Sequence, residues 1–301
     1  MLPIRPHIWF DQHTANEAAE FYTSLLPNSA ITGSNKFDMG SGYCDVVEFT
    51  LAGQSFMGIS SGPSLKLTPA ISFMINFDPS RNADAAKRID EVWNKLTDGG
   101  TIMMPLDSYP FSERYGWVSD KFGVSWQLIL TNPTGEERPV IVSSMMFTGD
   151  VAGRAEEAID FYTSIFKDGR RGTTARYPAG VAPDKEGTLM FADFYMDSTW
   201  MAAMDSAYQH GFGFNDALSL LIPCETQEEI DYYWSKLTAG GQPGQCGWLK
   251  DKFGVSWQVA SVLMIDVLKN GTRQQIDSVL AAFMPMTKID LSKLQKAYQG
   301  A

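Results

Sequence analysis

The sequence predicts an α+β fold made of two tandem copies of one domain and a helical tail. Three observations carry this. The octapeptide Asp-Lys-Phe-Gly-Val-Ser-Trp-Gln occurs at Asp120 to Gln127 and again at Asp251 to Gln258, each time a few residues after a Gly-Trp pair. Two further matches keep the same order: Phe21-Tyr22-Thr23-Ser24 with Phe161-Tyr162-Thr163-Ser164, and Lys95-Leu96-Thr97-Asp98-Gly99-Gly100 with Lys236-Leu237-Thr238-Ala239-Gly240-Gly241. A recurrence of about 130 to 140 residues is domain-sized, far above the roughly 20 to 50 of solenoids. Third, the apolar pattern reads strand, helix, strands and then strand, helix, strands within each copy.

In the first copy, His7 to Asp11 alternates as a short strand, and Asn16 to Leu26 is helical, with Ala18, Ala19, Tyr22, Leu25 and Leu26 near one face. Tyr43 to Leu51 and Ser55 to Ile59 are strands around the turn Ala52-Gly53-Gln54. Ala70 to Phe77 is another strand. Asp78-Pro79-Ser80 then leads into a helix through Leu96, which Gly99-Gly100 stops. Trp117 and Val124 to Leu130 are the arms of a final hairpin, with Gly123 supplying positive φ. The second copy repeats this order. Thr131 to Pro139, bounded by prolines, is the linker, so the domains span residues 1–133 and 139–264. Residues 265–301 form the tail, helical around Ile276, Val279, Leu280 and Phe283 and again over Asp290 to Tyr298. It is read as an appendage packed on the body, with an arm for a second protein as the alternative.

The copies differ in one loop. Between the second and third matches the first carries ten extra residues, within Thr101 to Tyr115. Tyr109, Pro110 and Phe111 on that loop are placed to lid a pocket.

A chain of 301 residues with 44% hydrophobic side chains has ample material for packed cores. Its net charge of -11 has the wrong sign for a nucleic-acid or anionic membrane partner. Cys44, Cys224 and Cys246 are odd in number and form no Cys-x-x-Cys pair, which points to reduced thiols in a cytoplasm. Met-Leu-Pro-Ile-Arg-Pro-His is not a signal peptide, and no run approaches the ~20 apolar residues of a membrane span.

The segments Ile8-Trp9-Phe10-Asp11, Glu17-Ala18-Ala19-Glu20-Phe21-Tyr22, Gly53-Gln54-Ser55-Phe56-Met57 and Cys246-Gly247-Trp248-Leu249-Lys250-Asp251-Lys252-Phe253-Gly254 resemble the PhnB-like group of the vicinal oxygen chelate superfamily. That group includes proteins labelled 3-demethylubiquinone-9 3-methyltransferase. The resemblance covers both copies and reaches into the tail at Met286 to Leu291. It implies two βαβββ modules per domain, curved into cup-shaped mixed sheets, with one domain's two modules facing one cavity. The two domains would then pair like the subunits of a single-domain relative's dimer, which leaves further homodimerisation open.

Studied members of that superfamily hold a divalent metal in the cup with His, Gln and Glu, and such chemistry needs about three protein ligands. Here the last-strand positions are Gln127 and Gln258, whose neutral amides attract a cation weakly. His7 shares a strand face with Trp9, but its counterpart in the second copy falls near Ser144. His13 and His210 sit in loops. No metal and no cofactor are therefore expected. Trp126 and Trp257 alternate onto the apolar face, which turns Gln127 and Gln258 to the cup, where a plain inter-strand hydrogen bond competes with ligand contact. Asp120 and Asp251 are read as turn caps accepting backbone N–H bonds. Cys246, whose counterpart is Tyr115, either lines the second cup or is a small buried hydrophobe. Ser60-Ser61-Gly62-Pro63 either offers hydroxyls or simply turns.

The candidate ligand-binding residues are His7, Trp9, Trp117, Gln127, Cys246, Trp248 and Gln258, and the partner is a small molecule. The rivals are a metal-dependent glyoxalase- or dioxygenase-type lyase or isomerase, and a scaffold that binds another protein through its tail. Methyl transfer is disfavoured: Gly149-Asp150-Val151-Ala152-Gly153 and Gly211-Phe212-Gly213 lack the glycine-rich pattern of a doubly wound S-adenosylmethionine site.

Overall fold

A computed structural model describes residues 2–11, 13–38, 42–61, 65–131 and 136–301. The middle of the linker, residues 132–135, and Gly62 and Pro63 lie outside the described residues.

The first half runs β1 (Arg5–Trp9), α1 (Ala15–Thr23), β2 (Ala30–Asp38), β3 (Tyr43–Leu51), β4 (Gln54–Ser60), then β5 (Ile71–Phe77), α2 (Ala85–Thr97), β6 (Thr101–Tyr109), β7 (Ser112–Ser119) and β8 (Ser125–Leu130). The second runs β9 (Ile141–Phe147), α3 (Ala155–Ile165), β10 (Arg170–Arg176), β11 (Leu189–Met196), β12 (Thr199–Asp205), then β13 (Leu218–Cys224), α4 (Gln227–Thr238), β14 (Gln242–Pro243), β15 (Trp248–Lys250) and β16 (Ser256–Ser261). Each half is thus two βαβββ modules. The tail is α5 (Val262–Asn270), α6 (Arg273–Phe283) and α7 (Leu291–Gln299). Three of these differ from the elements read off the apolar pattern: β2 is not among them, the long loop after Gly100 is the hairpin β6–β7, and α5 starts directly after β16.

Two eight-stranded mixed sheets result. Their orders are β14-β15-β16-β13-β1-β4-β3-β2 and β10-β11-β12-β9-β5-β8-β7-β6. This corrects the expectation that the two modules of one half share a cavity. Each sheet joins one module from each half, through the antiparallel central pairs β1 with β13 and β5 with β9. The two halves therefore pair within one chain.

The sheets pack back to back, with helices filling the space beside them. Phe56 on β4 meets Phe73 on β5 edge-on at 5.2 Å, and Tyr22 on α1 packs against Trp126 on β8 at 5.1 Å. Burying these rings supplies much of the driving force, since removing one such side chain costs about 3–5 kcal/mol. Trp126 and Trp257 are 1% and 0% exposed on this inner side. Period-two alternation therefore turns Gln127 and Gln258 to the outer faces, as expected.

The repeated aspartates are the caps that the sequence suggested. Asp120 Oδ1 accepts the amides of Phe122 (2.8 Å) and Val124 (3.0 Å), while Trp126 Nε1 donates to its Oδ2 at 2.8 Å. Asp251 does the same for Phe253, Val255 and Trp257, and also accepts from Tyr162 Oη at 2.7 Å. Ser60 Oγ accepts the Ala15 amide at 3.0 Å and so anchors the start of α1.

The tail folds back onto the first of these sheets. Asn35 on β2 donates to the Leu268 carbonyl at 2.6 Å, and the amides of Cys246 and Gly247 donate to the carbonyls of Met286 and Thr287 at 2.7 and 2.8 Å. Capping residues fix the two outer helices: Thr272 forms a capping box with Gln275, and Asp290 accepts the Lys293 amide at 3.1 Å. Among the described residues no helix is long and apolar enough to cross a membrane.

Candidate functional site

Adjacent strands set the site on the first sheet. β1 lies between β13 and β4, and its register puts His7 opposite Ser219, while β15 pairs Trp248 with Gln258. Five of the residues named from sequence (His7, Trp9, Cys246, Trp248 and Gln258) meet in one cavity wall, although they come from both ends of the chain. The cavity holds about 190 Å³. Its floor is the outer face of the sheet, with Val46, Met57, Leu221 and Ala260, and its roof is the tail, with Ile265, Leu268, Leu280, Phe283 and Met284.

Gln258 is the polar centre. Its Nε2 donates to His7 Nδ1 at 2.7 Å and to Ser219 Oγ at 2.8 Å. Both amide hydrogens are used, and among the described residues nothing donates to Oε1. His7 can accept because it is neutral: burial pushes its pKa down from 6.5 to about 4. With Nδ1 accepting, the neutral ring carries its proton on Nε2. Trp248 stands edge-on to both neighbours, with ring centroids 5.7 Å from His7 and 6.5 Å from Trp9. Trp9 Nε1 and Ser261 Oγ are buried and have no protein partner among the described residues.

A second hollow of about 500 Å³ shares Trp9, Cys246 and Trp248 with the first and continues past Gln242 to Lys250. These three side chains divide the inner chamber from this outer vestibule. Cys246 has φ 58, in the left-handed region, and its Sγ lies 3.5 Å from the Met284 carbonyl. Burial pushes its thiol pKa up, the opposite of what a nucleophilic thiolate needs.

The second sheet carries the same frame with different contents. Gln127 Nε2 donates to Ser72 Oγ at 2.7 Å, the counterpart of the Gln258–Ser219 bond. Here the phenol of Tyr115 donates to Gln127 Oε1, also at 2.7 Å. Tyr115 is walled in by Trp117 and Met146, with Tyr109 and Phe111 packed edge-on at 5.6 and 5.0 Å. The β6–β7 hairpin thus covers Tyr115, and its Phe111 also lines a hollow of about 550 Å³ on this face with Met74, Ile129 and Val140. Trp117 Nε1 is likewise spent, donating to Ser125 Oγ at 2.7 Å. Gln127, expected to contact a ligand, bonds Ser72 on β5 and Tyr115 on β7, and Trp117, expected likewise, bonds Ser125 on β8.

Sequence reasoning missed Ser72 and Ser219, although a signal was present: Ala70-Ile71-Ser72 aligns with Ala217-Leu218-Ser219. It used Tyr115 only as the counterpart of Cys246. The chamber roof from α5 and α6 had no signal, because an amphipathic helix does not disclose what it covers. His13 pairs with Asp45 at 3.1 Å and His210 with Ser206 at 2.7 Å, both away from the chamber wall.

The metal that such folds hold does not fit these residues. The polar set at the chamber is one imidazole whose Nδ1 is occupied, one neutral amide, the serines Ser219 and Ser261 and the thiols of Cys44 and Cys246, with no carboxylate. Among the described residues no three His, Cys, Asp or Glu side chains converge.

Two mixed sheets of paired βαβββ modules, with the polar groups of interest on their outer faces, define a vicinal oxygen chelate protein. Within that class the chain belongs to the family described as 3-demethylubiquinone-9 3-methyltransferase, which it matches over residues 3–129 and 139–260. Among solved structures it is 38% identical to a PhnB protein from Bacillus cereus, over 43% of this chain and all of that one, with a TM-score of 0.39. Glyoxalase I from Zea mays matches 90% of this chain and 98% of its own at 15% identity, with a TM-score of 0.56, and shares the fold. No curated protein matches the sequence.

Proposed function

We propose that the protein binds a small molecule in the chamber over Gln258 and that it does so without a metal. The observation that carries this is the free amide oxygen of Gln258, which faces an otherwise apolar, roofed cavity. Cavities that are mostly apolar with a few placed polar groups are the usual form of small-ligand sites. His7 and Ser219 hold the amide, Trp9 and Trp248 form the aromatic wall, and Cys246 marks the mouth. On this reading one of the two outer faces works, while Gln127 and Trp117 are structural. The family's methyl transfer is not part of the proposal, nor is lyase, isomerase or dioxygenase chemistry. The three thiols and the charge balance favour a cytoplasmic setting.

The test is a screen of neutral small molecules by proton–nitrogen correlation spectra of the indole groups, assigned with Trp9→Phe, Trp248→Phe and Trp117→Phe. Shifts confined to Trp9 and Trp248 support the reading, and shifts at Trp117 alone refute it. Metal analysis of protein purified without chelator supplies a second check. A stoichiometric divalent ion, lost in His7→Ser, would overturn the metal-free assignment.

A further inference from the structure

The two copies give each other's site an internal comparison. At equivalent positions stand Gln127 and Gln258, Ser72 and Ser219, Trp117 and Trp248, and Tyr115 and Cys246. In the first set Gln127 is hydrogen-bonded to both Ser72 and Tyr115, and Trp117 is hydrogen-bonded to Ser125. Tyr115 is buried as a neutral phenol and donates its hydroxyl hydrogen bond to the amide oxygen of Gln127. In the second set the phenol is missing and so is its hydrogen bond. Gln258 is 8% exposed where Gln127 is 2% exposed, and a cavity lies beside it.

We propose that the ligand of the chamber is a neutral aromatic alcohol, a phenol whose hydroxyl donates to Gln258 Oε1 in the place that Tyr115 fills in the other copy. This deepens the small-molecule reading above and rests on it. Three features of the chamber support the class. His7 and Ser219 consume both amide hydrogens of Gln258, so the group offered to a ligand is an acceptor and selects a donor. Trp248 matches Trp117, which packs against Tyr115, so one aromatic wall for a ring is already present. No Asp, Glu, Lys or Arg is among the described residues lining the chamber, so a phenolate or a carboxylate would enter without a counter-charge. The Trp9 indole N–H, buried and without a partner among the described residues, is a second donor on a residue of the chamber wall.

The experiment titrates the full chain with p-cresol, 4-methylanisole and toluene, reading the Trp9 and Trp248 indole signals and the affinity by calorimetry. The ring is common to all three, and only p-cresol donates. A donor that satisfies a buried acceptor is worth about tenfold in affinity. The expected result is p-cresol binding about tenfold tighter than 4-methylanisole in the native protein, with the gap closed in Gln258→Leu. Toluene binding to Gln258→Leu, with its indole shifts, reports that the chamber is still formed in that variant. Equal affinities for p-cresol and 4-methylanisole, with shifts at Trp9, overturn the phenol and leave the chamber as a binding site. If none of the three moves Trp9 or Trp248, the chamber reading fails and the phenol with it. A persisting p-cresol preference in Gln258→Leu removes the amide as its cause and overturns the proposal.

Discussion

His7 and Gln258 stand 251 positions apart in the chain and 2.7 Å apart in space. Strand β1 from the first half brings one, strand β16 from the second brings the other, and β13 between them supplies Ser219. The bond needs His7 neutral. An imidazolium would turn Nδ1 from acceptor to donor against the amide hydrogens of Gln258.

That requirement sets a pH dependence. The folded protein holds His7 at a pKa of about 4, whereas an unfolded chain titrates it near 6.5. Below 6.5 the unfolded state takes up a proton that the folded state refuses. The His7 contribution is therefore complete above pH 6.5, falls between 6.5 and about 4, and amounts to about 3 kcal/mol over that window. Urea unfolding at pH 7 and pH 4.5 should show a smaller acid loss in His7→Ser than in the native protein. Equal losses would assign the acid sensitivity to other groups.

Asp120→Asn and Asp251→Asn each replace one acceptor oxygen with an amide donor that faces an indole N–H. Each should cost about 2 kcal/mol or more, because a buried hydrogen bond to a charged group is lost and a donor is left unpaired. Asp251→Asn should cost more, since Tyr162 Oη shares that oxygen. Denaturant midpoints of the two variants decide the order.

Gly247→Ala should be destabilising by about 1–3 kcal/mol, for its φ is +80 and an added Cβ would sit 2.5 Å from the Val259 carbonyl. Gly116→Ala fails for a different reason: its Cβ would meet the Trp93 ring at 2.6 Å. Trp93→Leu should therefore rescue Gly116→Ala and leave Gly247→Ala unchanged, as thermal melting of the double variants would show.

Val279 is fully buried in α6, so Val279→Asp should undock the outer tail helices. The chamber then loses Leu280 and Phe283 from its roof. The expected signs are binding of a hydrophobic dye and early proteolysis after residue 270, with the sheets still melting cooperatively. A variant that resists protease like the native protein would show that the roof does not depend on this contact.

Much of this was legible in the chain. The octapeptide gave the duplication, and period two turned Gln127 and Gln258 away from Trp126 and Trp257. Strands β2 and β6 were not legible as strands. They lie at sheet edges with mostly exposed side chains, and residues such as Gly33, Asn35 and Pro105 break any alternation. The exchange of modules between halves had no local signature, since pairing β1 with β13 leaves no pattern in either strand. The ten-residue difference was visible, but not that it decides which face is filled by Tyr115 and which is roofed by Phe283.

The strand order has a consequence for how the molecule comes apart. A cut in the exposed stretch at Glu136 and Glu137 would sever the covalent link between the repeats and break neither β1–β13 nor β5–β9. The fragments would stay together as complementing pieces, each a template for the other's edges, rather than drift off as two beads from a cut string.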